Sequence, residues 1–170
     1  MDRARWPGWT RQHTLLLPVP PADWPPPEAP VTVDGLTLHP KRELHITLVG
    51  NQLGKALRIA AQSGDVERDA VRAAFEREDW RWSRTGRRTL LRAAPKRRGG
   101  PERHALVEHV DLPAMARFHA TLGDLLGRDL PVPPPHVTLY VAGTDQGIGL
   151  PDAATLARLA TGTDGSGRNG

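Results

Sequence analysis

Two short stretches of the chain pair a histidine with a threonine two residues on. His45-Ile46-Thr47-Leu48 and His136-Val137-Thr138-Leu139 both read histidine, apolar, threonine, leucine. In an extended strand successive side chains point to opposite faces. His45 and Thr47 then oppose Leu44, Ile46 and Leu48, while His136, Thr138 and Tyr140 oppose Val137, Leu139 and Val141. Each copy is a strand with one face for a core and one face offering an imidazole and a hydroxyl. An imidazole takes or gives a proton near neutrality, and a hydroxyl donates to an oxygen on which negative charge develops. With 7 histidines and 38% hydrophobic residues in 170, about 0.08 such tetrapeptides are expected by chance. Two copies are a signal, and two such strands side by side make a site.

A His-x-Thr pair is not a metal-ligand set, and no carboxylate–histidine cluster accompanies either copy, so no metal and no cofactor are expected. The other histidines, His13, His39, His104, His109 and His119, read as structural. The absence of cysteine excludes disulfides, thiolate nucleophiles and cysteine-held zinc or iron–sulfur centres. No signal peptide and no membrane span are read, which predicts a cytoplasmic protein.

The elements that must position the two motifs follow from apolar spacing. Residues 1–11 read as a loose, basic lead-in. His13 to Val19 reads as a buried strand, and the six prolines between Pro20 and Pro30 forbid helix and ladder alike, which predicts an exposed loop carrying Trp24. Asp34-Gly35 predicts a two-residue hairpin turn. The first motif strand, Glu43 to Val49, is followed by a helix carrying Leu53, Ala56, Leu57 and Ala60, and by a second helix from a cap at Asp65 to about Glu78. Trp80 to Arg84 and Arg88 to Ala93 read as two short strands hinged near Gly86. Arg103 to Val110 alternates, with Ala105, Val107 and His109 sharing a face. A helix capped by Asp111 carries Met115, Phe118, Leu122, Leu125 and Leu126 to a stop at Gly127. Pro131 to Pro135 keeps the chain extended into the second motif strand. A last short helix starts near Pro151. Residues 1–160 are thus expected to form one α+β domain of two similar halves, with 161–170 a disordered tail.

Charge is concentrated in one place. From Arg81 to Arg103 nine basic residues stand against Glu102, a local +8, so with a net charge of +4 the remainder carries −4. Such a patch suits a polyanion such as RNA. Its Arg88 and Arg103 are candidate substrate contacts, and Trp24 is a candidate platform for a base.

On His45-Ile46-Thr47-Leu48, His136-Val137-Thr138-Leu139 and the preceding Pro135, the chain resembles the two-histidine (2H) phosphoesterase superfamily, which includes 2′-5′ RNA ligase-like proteins and cyclic phosphodiesterases. The resemblance covers roughly Thr14 to Gly143, and only the two motifs are specific. It implies a bilobal α+β fold, two antiparallel sheets with pseudo-two-fold symmetry around a central cleft, and helices outside. It implies acid–base attack on a phosphodiester, usually a 2′,3′-cyclic phosphate, without a metal, with His45 and His136 as proton carriers and Thr47 and Thr138 on the phosphate. Tyr140 follows the second motif as in plant-type cyclic phosphodiesterases and is a further substrate-binding candidate; many RNA ligase-like members have arginine there. The expected partner is RNA or a nucleotide with a cyclic phosphate, bound by a monomer. The alternative is an RNA- or nucleotide-binding protein of the same fold without turnover.

Overall fold

The computed structural model describes residues 3–164. The chain order is β1 (Leu15–Pro18), β2 (Val31–Val33), β3 (Leu36–Pro40), β4 (His45–Val49), α1 (Asn51–Ser63), α2 (Ala70–Glu76), β5 (Ser83–Ala93), β6 (Arg103–Asp111), α3 (Ala114–Leu126), β7 (His136–Ala142), α4 (Ala153–Leu159) and β8 (Ala160–Asp164). The fold is α+β. Instead of two separate sheets, the strands join in one eight-stranded antiparallel sheet in the order β1-β4-β7-β6-β5-β8, with β3 pairing β7 and β2 pairing β3. The two motif strands, far apart in sequence, are neighbours at its centre.

The sheet has two differently covered faces. On one, Ile46, Leu48, Val137 and Leu139 pack with Leu57 of α1, Val71 and Phe75 of α2, and Met115, Phe118 and Leu122 of α3. On the other, Leu91, Ala105, Val107 and Val141 pack with Ile148 and Leu150, and with Leu156 and Leu159 of α4. Burying apolar side chains of this size stabilises by roughly 1.5–3 kcal/mol each, so the first, larger cluster holds the two motif strands in place. Its rim is aromatic. Trp6 meets Phe75 edge-on at 5.3 Å and Phe75 stacks on Trp80 at 5.1 Å. The lead-in is therefore packed rather than loose.

Three irregularities shape the site. In β7, Tyr140 pairs with Leu106 and Thr138 with Val107, which leaves Leu139 as an extra residue. Such a bulge reverses the inward–outward alternation beyond it. Tyr140 consequently enters the first cluster with Leu139, and Val141 enters the second, so Tyr140 does not share a face with His136 and Thr138.

Along the other edge of β7 run both β3 and β4, with Pro40 opposite Tyr140 and Ile46 opposite Val137. Between these pairs β3–β4 advances 46 − 40 = 6 residues while β7 advances 140 − 137 = 3. The three surplus residues loop out just before His45, after Lys41 N–H has donated to the Leu139 carbonyl at 2.8 Å. In β5, Arg84 pairs with Val110 and Arg88 with Glu108, so four residues of β5 span two of β6. The surplus includes Gly86, whose φ of 73° is one that only glycine adopts freely. β5 is one bulged strand, not two strands with a hinge.

Several expectations meet other outcomes at their ends. The Asp34-Gly35 turn forms with both residues at positive φ, 50° and 77°, and α3 stops at Gly127. The second helix is confined to Ala70–Glu76. The expected tail is corrected at its start, because Ala160–Asp164 adds a strand beside β5 and Thr161 Oγ1 donates to the Leu90 carbonyl at 3.2 Å. Residues 165–170 lie outside the described residues. Among the described residues no helix is long and apolar enough to cross a membrane.

Candidate active site at the β4–β7 seam

The β4–β7 ladder puts Ile46 opposite Val137. In an antiparallel pair the neighbours then face one another crosswise, His45 toward Thr138 and Thr47 toward His136. Facing side chains on such strands stand about 4.5–5.5 Å apart at Cβ. Ile46 and Val137 both point into the helix-covered core, so the two histidines and two threonines share the opposite face. All four are half-buried. The expected quartet therefore comes together.

The seam is bounded on both sides. The segment after β7 comes so close to Thr138 that a Cβ on Gly147 would lie 2.9 Å from Thr138 Oγ1. On the β6 side, His109 stands directly opposite His136. Its Nε2 is 2.8 Å from Thr89 Oγ1, and Thr85 Oγ1, in the β5 bulge, donates to the His109 carbonyl. The sequence gives His109 a structural role, yet it lies in the same row of side chains as the quartet. The only sequence signal for this was its alternation with Ala105 and Val107.

Each imidazole is set by its surroundings. The His136 Nδ1–H donates to the Pro134 carbonyl at 2.9 Å, which fixes the tautomer and leaves Nε2 with a lone pair for the cleft. Burial pushes His136 down to about 4, against the Pro134 hydrogen bond and with help from His109 and His45. His45 is also held below the ordinary histidine range by burial and by nearby Lys41, with Glu43 pulling the other way. His109 is lowered by burial and by Arg87. Burial and the neighbouring cations favour the neutral form of each ring, and an anion bound there would favour protonation. His119 is separate: it is buried beneath β4 and its Nε2–H donates to the Leu48 carbonyl at 2.7 Å.

The four further candidates do not join the quartet. Tyr140 is turned into the core by the Leu139 bulge and is 8% exposed. Trp24 is 3% exposed, with the Arg84 guanidinium lying 4.1 Å from its ring centre, so its face is already covered. Arg88 reaches Glu108 at 3.2 Å; the pair face each other on the strands, one position from His109 and thus on the opposite side of the sheet. Arg103 donates to the Ala94 carbonyl and lies six residues along β6 from His109, about 20 Å away.

Four of the nine basic side chains of this stretch are ion-paired within the fold. Arg84 and Arg88 both hold Glu108, Arg92 holds Glu102 and Arg81 holds Asp79. For the Glu108 carboxyl, burial alone would favour the neutral acid, but the hydrogen bonds from Arg84 and Arg88 outweigh it and hold the group below the ordinary glutamate range. Arg87 lies close enough to His109 to oppose its protonation.

Among the described residues no group of three or more histidines and carboxylates is placed to hold a metal ion. No family model, no curated protein and no solved structure matches the chain.

Proposed function

We propose that the chain is a metal-independent phosphodiesterase of the two-histidine type, opening 2′,3′-cyclic phosphates, or related 2′-5′ linkages, at RNA ends or on nucleotides. The observation that carries this reading is the crosswise register that sets two imidazoles and two hydroxyls on one face of adjacent central strands. In-line displacement at phosphorus needs a base on one side and an acid on the other. His136 takes the proton of the attacking water, because its Nδ1–H is committed to Pro134 and its low proton affinity leaves Nε2 free. His45, which the negative charge of a bound phosphate favours in its protonated form, gives a proton to the departing sugar oxygen. The water oxygen–phosphorus bond forms as the ring P–O bond breaks, and the product is a phosphomonoester. Thr47 and Thr138 donate to the non-bridging oxygens, where charge accumulates.

The same reading includes the bilobal, pseudo-symmetric arrangement. Exchanging β4 with β7 about the Ile46–Val137 pair carries His45 onto His136 and Thr47 onto Thr138, which supports it. It also takes the protein to be a cytoplasmic monomer. The test is incubation of the folded protein, in EDTA, with 2′,3′-cyclic mononucleotides and with a short RNA ending in a cyclic phosphate. Ring-opened monoester from either substrate is expected; tight, salt-sensitive RNA binding with no product from either overturns the reading in favour of a binding protein.

A further inference from the structure

We propose that His109 is a third imidazole of the site, a positioning residue that acts on the substrate through His136. The two residues are direct partners across the β6–β7 ladder, so their side chains emerge on the same face at the closest lateral spacing a sheet offers. His109 is held by two contacts from β5. Thr85 Oγ1 donates to its carbonyl and Thr89 Oγ1 meets its ring Nε2 at 2.8 Å.

The Thr89 contact anchors the ring itself. Thr89 is buried, and a hydroxyl has a single proton to donate. Its partner among the described residues is Nε2 of His109, so the hydrogen bond between them holds the ring in place, with either group able to donate according to the tautomer. Arg87, within the β5 bulge, opposes a charge on His109.

The charged and titratable groups facing His136 are then His45 from β4, with Lys41 and Glu43 near it, and His109 and Arg87 from the β6–β5 side. Two imidazoles this close compete for one proton. A proton on His109 therefore disfavours one on His136, so His109 sets how readily His136 takes up the proton that an anionic substrate draws into the site. The coupling of the two rings stands by itself, while its use in turnover rests on the phosphodiesterase reading.

The test is an NMR titration of the histidine Cε1–H resonances in the whole protein and in His109→Gln, which keeps a similar volume and a hydrogen-bonding head for Thr89. His136 is expected to titrate roughly half a pH unit or more higher in the variant, since a neighbouring like charge has been removed. If the variant does not fold, the unaltered protein answers. Coupled rings show each other's inflection in their own titration curves, whereas single, independent inflections overturn the inference. An unshifted His136 in a folded His109→Gln protein overturns it too. Coupling without turnover of any cyclic phosphate would leave this inference standing and remove the phosphodiesterase reading. With turnover, the acidic limb of the rate profile is expected to move upward in the variant along with the His136 resonance.

Discussion

Ile46 stands opposite Val137 across the β4–β7 ladder, each one residue beyond the histidine of its motif. That single pairing determines the site. Moving β4 by one residue would turn His45 and Thr47 into the helix-covered core, and moving it by two would leave each histidine without the other strand's threonine beside it. The apolar members of both motifs exclude the first slip, because Ile46, Leu48, Val137 and Leu139 are all buried beneath α1 and α3. The crosswise arrangement also means that each histidine has a hydroxyl beside it from the other strand.

The hydroxyls are expected to act on the transition state more than on substrate binding. Thr47→Ala and Thr138→Ala should each lower kcat on a 2′,3′-cyclic nucleotide by about 100-fold, the usual cost of losing one donor to a developing oxyanion, with KM changing far less. Serine at either position should restore most of the rate. A threonine-to-alanine variant with unaltered kcat would remove that residue from the chemistry.

Gly147 offers a test of the neighbouring segment. A Cβ there would meet Thr138 Oγ1 at 2.9 Å, closer than such atoms approach in practice, and Gly147 itself is exposed. Gly147→Ala is therefore expected to displace the Thr138 hydroxyl and reduce turnover nearly as much as Thr138→Ala, while the thermal midpoint stays within a few degrees. Full activity in this variant would show that the segment after β7 does not determine where Thr138 points.

Acid should weaken the fold earlier than carboxylate protonation alone would make it do. His136 is pushed down to about 4 in the folded chain, against roughly 6.5 when unfolded. Between those values the unfolded state binds more protons, so stability is lost as pH falls from about 6.5 toward 4 and regained as pH rises. The gap between the two values sets an upper bound on the order of 3 kcal/mol from this one ring. His45, His109 and His119 are lowered in the same direction. Urea midpoints should fall clearly between pH 7 and pH 5, and His136→Asn should flatten that slope; a midpoint independent of pH in this window would contradict the assignment of buried, neutral histidines.

What could be read from the chain and what could not divides along local and non-local lines. The motif strands, the Asp34-Gly35 turn and the stop at Gly127 depend on short-range chemistry, and all three are in the structure. Tyr140 misled because strict alternation was carried through β7, and nothing in Thr138-Leu139-Tyr140 announces a bulge. Trp24 and the arginines misled for a different reason. Arg84 covers Trp24 across 60 residues of sequence, and Glu108 takes both Arg84 and Arg88 from the facing strand, so a run of charge that looks free in one dimension is compensated in three. His109 was passed over because its meaning depends on a partner 27 residues away. The start of the expected tail became a strand because β5 has an edge that Ala160–Asp164 pairs with.

The measurement that bears most directly on the account is turnover of a 2′,3′-cyclic nucleotide in the presence of EDTA by the unaltered protein, His45→Ala and His136→Ala, with each variant's fold checked by circular dichroism. Paired-histidine catalysis predicts monoester formation by the unaltered chain, undiminished by the chelator, and loss of that activity by at least about 1,000-fold in both folded variants. Full activity in either variant, or activity that disappears with EDTA, would contradict it.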